Sequence, residues 1–166
     1  MKRLMAILLT GLPVVALAAD NPDESFFKDA AQAGMAEVAA GHLAQSKGTS
    51  QAVKDFGAMM VKDHSAANAK LKKIAMAKGI ELPDKPSLTQ RAMNKKTDLH
   101  STGSSFDTDY IQEQIKAHKD TVDLLQKEID SGKDPDAKMF AAETLPKVKA
   151  HLDKIDKIAA DAGVKG

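Results

Sequence analysis

The 166-residue chain carries 24 basic and 23 acidic residues, one tyrosine, no tryptophan and no cysteine. Near-neutral charge without a basic run excludes the electrostatic footprint of a nucleic-acid binder. The missing thiols exclude disulfides, cysteine nucleophiles and cysteine-ligated zinc.

The first 19 residues read as a secretory signal peptide. Lys2 and Arg3 form the basic start, Leu4 to Val15 the apolar core, and Ala16-Leu17-Ala18 the small-residue cleavage pattern. The apolar run is short for a membrane span, and no cysteine is available for a lipid anchor. Cleavage predicts a mature chain from Ala19 or Asp20, secreted or periplasmic, with 22 basic against 23 acidic residues. Residues 20–166 have the length of one domain with a real core.

Asn21-Pro22-Asp23-Glu24 predicts the N-cap and first turn of a helix that Gly48 ends. Thr49 or Ser50 opens a second helix, which runs to Lys78 and stops at Gly79-Ile80. Ser87 and Gln90 have capping-box spacing and start a short helix to about His100. Ser104 to Asp107 opens a third long helix ending at Ser131-Gly132. Asp134-Pro135 caps a fourth, which ends near Gly163 and which Pro146 is expected to kink.

Apolar stripes at spacings of three and four agree with these boundaries. Val53, Met60, His64, Ala67, Leu71 and Ile74 share one face of the second helix. Ile111, Ile115, His118, Val122, Leu125 and Ile129 share one face of the third. Ala141, Leu145, Val148, Leu152, Ile155 and Ala159 share one face of the fourth, with His151 one position aside. No segment alternates with period two, so the fold class is all-α. Two tight connections make two antiparallel hairpins, and the long segment between them favours a four-helix bundle with a crossover carrying the short helix.

Folding each hairpin about its turn places Glu37, His64, His118 and His151 at one height. Imidazoles and a carboxylate on facing helices hold transition metals in bundles. The candidate metal ligands are therefore His64, His118, His151, Glu37 and Met60, with copper or zinc as the ion. Asp63 stands ready to orient a ligand from behind. The alternative is a polar layer in which each histidine merely bonds a neighbour and sets helix register. His42 lies near a helix end, and His100 fits a C-terminal capping role. No serine-histidine-acid triad or glycine-rich phosphate loop is present, so the protein reads as non-enzymatic.

The segments FFKDAAQAGMAEV, VKDFGAMMVKDHSAANAKL, FDTDYIQEQIKAHKDTVDLL and LPKVKAHLDKI, in that order behind a signal peptide, resemble the secreted bacterial family termed domain of unknown function 4142. The resemblance spans nearly the whole mature chain. It implies a ferritin-like bundle of the periplasm or outer membrane, without implying an activity. Di-iron bundles need Glu-x-x-His on two helices, yet Ala40, Lys116 and Pro146 follow Glu37, Glu113 and Glu143 at that spacing. The expected role is accordingly binding or envelope stress, with metal binding second and a bundle-based oxidase third. Any partner is a metal ion or an envelope protein.

Overall fold

Capping chemistry sets the helix ends. In the computed structural model, which describes residues 21–100 and 104–165, the elements are α1 (Glu24–Lys47), α2 (Gln51–Ala77), α3 (Leu88–His100), α4 (Ser104–Ser131) and α5 (Pro135–Ala162). The side chains of Lys96, Leu99 and His100 are not described, so the capping role expected of His100 and the leader at 1–19 both lie outside the described residues. All the described secondary structure is helical.

Ser50 caps α2 by accepting the Val53 N–H at 3.2 Å. Ser87 and Gln90 bond reciprocally at 2.9 and 3.2 Å, the capping box read from their spacing. Asp134 accepts the Asp136 and Ala137 N–H groups, with Pro135 in the first turn of α5. Gly79 and Gly163 adopt the left-handed conformation past the ends of α2 and α5. Helix α5 runs unbroken through Pro146.

The start of α1 differs from expectation. Asp23, not Asn21, is the N-cap residue, and no side-chain bond caps the helix there. The Asp23 carboxylate instead accepts the backbone N–H of Lys133, at 2.6 Å, and of Asp134. Asn21 accepts the Asp23 N–H at 2.9 Å and donates to Asp134 at 2.6 Å. A residue spent tying α1 to the α4–α5 turn is not available to cap its own helix.

Helix α1 packs along α2 and α4 along α5, while α1 also touches α4 and α2 touches α5; α3 lies against α1 and α4. At one pole Lys78, at the end of α2, pairs with Asp134 and Asp136 at 2.8 and 2.7 Å. At the other, Asp107 in the first turn of α4 accepts the N–H groups of Thr49 and Ser50 and the Thr49 hydroxyl. Burial works against the Asp107 charge, but these bonds outweigh it and hold its pKa below the ordinary value.

Small residues bring α1 and α2 together. A Cβ on Gly57 would fall 2.7 Å from the Gly41 carbonyl oxygen and 2.7 Å from the Ala44 Cβ. Backbone cannot yield as a flexible side chain can. Gly57→Ala is therefore expected to destabilise the protein by about 1–3 kcal/mol through overpacking, seen as a lower denaturation midpoint in urea.

Glu128 sits buried at the first pole with one carboxyl oxygen unpartnered. Burial, then the neighbouring Asp23 and Asp134, push its pKa up to about 7. Its folded pKa exceeds the unfolded value, so its stabilising contribution is present in acid and lost as pH rises toward 7. Glu128→Gln is expected to stabilise the protein at pH 8 by an amount on the order of 1–3 kcal/mol, read as a higher melting temperature, and to change little at pH 5.

The core has two apolar clusters. Phe26, Phe27, Leu71, Leu125, Phe140 and Leu145 anchor one. Val53, Phe56, Met60, Phe106, Ile115 and Ile155 anchor the other. On every long helix, a polar residue separates the stretches belonging to the two clusters: Glu37 on α1, His64 on α2, His118 on α4 and His151 on α5.

Candidate metal centre

Burying ionisable side chains between two apolar clusters costs free energy unless each finds partners. His64, His118 and His151 are 7%, 1% and 3% exposed. Their ring centroids lie 5.9 Å apart for His64 and His118, and 5.6 Å apart for each of the other two pairs. One ring nitrogen from each can be chosen so that all three lie within 4.8 Å of one another. Three nitrogens tetrahedrally placed about a zinc ion sit roughly 3.4 Å apart, so modest ring rotations close the set.

The hydrogen bonds assign tautomers. His118 Nδ1 lies 2.9 Å from the Gln114 carbonyl oxygen, and His151 Nε2 lies 3.0 Å from Asp63 Oδ2. Both oxygens can only accept, so each of those nitrogens carries a proton; in a neutral ring the other nitrogen holds the lone pair. Those other atoms, His118 Nε2 and His151 Nδ1, are buried without a partner, as is His64 Nε2. A backbone carbonyl and a carboxylate behind the imidazoles are the usual supports that fix ring orientation at metal sites.

Electrostatics disfavour protonation of His64 and His151. Burial, then His118 and His151, lower the His64 pKa to about 3, so its ring is neutral at physiological pH. Burial also lowers the His151 pKa, against the pull of Asp63. Partial burial of Asp63 opposes its charge, yet the His151 bond and nearby Lys147 prevail and hold its pKa low. The carboxylate therefore stays charged behind the ring it orients.

Glu37 and Met60 are not among the clustered ring donors. Glu37 is buried in the same polar layer, bonded through its side chain to Gln114, and it is not one of the three clustered donors. Burial raises its pKa, ahead of the opposing charge of His118. Met60 packs into the apolar cluster with Phe56 and Tyr110. His42 is exposed on α1. Sequence reasoning did not single out Gln114 or Tyr110. Gln114 supplies the carbonyl that orients His118 and the amide beside Glu37; the one signal was a glutamine between Ile111 and Ile115 on an apolar face. Tyr110 is buried with its hydroxyl unpartnered, and burial, then Glu37, raise its pKa well above the ordinary value.

An all-helical architecture of this shape occurs in the crystal structure of a DUF305 fragment from Deinococcus radiodurans. It superposes with a TM-score of 0.71 at 11% identity, covering 84% of this chain and 97% of that one. At such low identity the likeness is one of fold. Residues 13–158 match the family model described as Domain of unknown function (DUF4142), and the chain belongs to that family. No curated protein matches it. Among the described residues, no helix is long and apolar enough to cross a membrane.

Proposed function

We propose that this chain is an exported, ferritin-like four-helix bundle that binds one copper or zinc ion through His64, His118 and His151. The observation that carries the reading is the convergence of three buried imidazoles, each with a ring nitrogen that nothing in the fold satisfies. A register-setting polar layer would be expected to satisfy its own members. This one leaves three buried ring nitrogens without partners, while Gln114 and Asp63 fix two of the rings. An all-imidazole donor set suits zinc or copper better than magnesium or calcium.

The bundle topology draws support from the poles. The start of α2 meets the start of α4, which fits parallel helices joined by a crossover bearing α3. Export rests on the leader pattern at residues 1–19. Burial of the donors and the absence of a Glu-x-x-His pair favour binding over redox turnover.

X-ray absorption on the zinc-loaded mature protein tests this. Three imidazole nitrogens at about 2.0 Å, with one light-atom ligand completing the shell, is the expected result. A six-coordinate, oxygen-dominated shell would contradict it.

A further inference from the structure

Asp23 occupies the N-cap position of α1 without capping it. Its backbone (φ -109°, ψ 20°) lies off the extended conformation of two residues that do cap their helices, Ser50 (ψ 142°) and Asp134 (ψ 121°). The N–H groups of Ser25 and Phe26, those an N-cap side chain ordinarily takes, receive nothing from it. Its carboxylate is engaged across the pole instead, on the backbone N–H groups of Lys133 and Asp134. Turning Asp23 to the conformation that Ser50 and Asp134 adopt would aim its side chain at its own helix.

Glu128 stands where it can decide between these partners. Its side chain is buried and within hydrogen-bond reach of the Asp23 carboxylate. Two carboxyl groups in such contact can share a proton, but they repel when both are charged. Gly132 leaves room for the glutamate under the turn, since a Cβ there would run into the Glu128 carboxyl. The other charges acting on Glu128 are Asp134, at the start of α5, and Lys138, one turn further along that helix. Asp29 and Lys127 line the small pocket beside it. Asp134 is fixed by Asn21, by Lys78 at the end of α2 and by capping α5. Asp23 is therefore the acid with somewhere else to go.

We propose that Asp23 and Glu128 form a two-position, pH-operated latch between α1 and the α4–α5 turn. With Glu128 protonated, its O–H donates to Asp23, which holds the two turn amides. With Glu128 ionised, Asp23 leaves the turn and caps α1, where the positive end of the helix dipole receives its charge. Burial, then Asp23 and Asp134, raise the glutamate's pKa to about 7, which sets the change near neutral pH. The direction follows from that sign: latched in acid, released in mild alkali.

Amide hydrogen exchange of the mature protein tests this, read by NMR at about pH 5.5 and 8 and expressed against the intrinsic rate at each pH. From acid to alkali, protection at Lys133 and Asp134 is expected to fall roughly tenfold, while protection at Ser25 and Phe26 rises by a similar factor. Glu128→Gln, whose amide donates to Asp23 at either pH, should keep the acid pattern throughout. Asp23→Ser, with a side chain that caps a helix but is too short to cross to the turn, should show the alkaline pattern throughout. Unchanged protection in the wild-type protein, a fall at the turn without the gain at α1, or a wild-type pH response in either variant would each overturn the latch.

Discussion

Replacing His64 by leucine is expected to make the metal-free protein more stable while abolishing its stabilisation by copper or zinc. The imidazole is buried against two others with Nε2 unpartnered, and its pKa is driven down to about 3. Leucine has similar bulk and no polar atom to strand, so removing the orphaned nitrogen recovers about 1–3 kcal/mol. For a domain of this size that corresponds to a rise of roughly 2–4 °C per kcal/mol in melting temperature. Wild-type protein should gain stability on adding metal, because an ion that binds only the folded state shifts the equilibrium toward it. The variant should gain none. If His64 served only to support packing, the leucine variant would be less stable and no metal-dependent difference would separate the two proteins. Scanning calorimetry of both proteins, with chelator and with excess zinc, reads all four values.

The second large effect is the response of the metal-free protein to acid. His64 has a folded pKa of about 3 against an ordinary value of 6.5, so the unfolded chain binds the extra proton between those limits. Stability conferred by the neutral ring is complete above about 6.5 and is lost as pH falls toward 3, at up to about 1.4 kcal/mol per pH unit. His151, also lowered, acts in the same direction. Glu128 acts oppositely between 4.5 and about 7, since its folded pKa is raised. Over the interval where both titrate, the two effects offset. Below about 4.5 Glu128 no longer compensates for the imidazoles. Depressed Asp63, Asp107 and Asp134 add their own losses as pH falls through their range. The melting temperature is expected to vary little from pH 5 to 6.5 and to drop steeply below about 4.5. In the His64→Leu variant the drop should be shallower, which circular dichroism melts across that range would show. An equally steep drop would remove His64 from the account.

Much of the architecture was legible because helix ends are local chemistry. Ser50, the Ser87–Gln90 pair, Asp134-Pro135 and Gly163 each announce a boundary within a few residues, and each occupies the expected place. Asp23 was not legible in this way, because its carboxylate bonds to residues more than a hundred positions away. The height of the histidines followed from helix arithmetic about two turns. Their convergence did not: position along a stripe leaves the ring free to point inward or to the side. His151 sits one residue off its stripe and is still buried, since the covered arc of a packed helix is wider than the stripe itself. Sequence spacing put Glu37 at the right level, but its side chain turns to Gln114 rather than into the three-histidine set. Met60 shares a helix face with His64 and still belongs to the apolar cluster beside it.

The central claim is that three buried imidazoles form one metal site. Isothermal titration of untagged, chelator-stripped mature protein with Zn(II) and Cu(II) tests it most directly. One equivalent bound per chain, tighter than about 10 μM for at least one of the two ions, is the predicted result, a binding free energy near 7 kcal/mol or more. No saturable binding of either ion at that concentration would contradict the account, leaving the histidines as an unsatisfied polar layer in an otherwise apolar bundle.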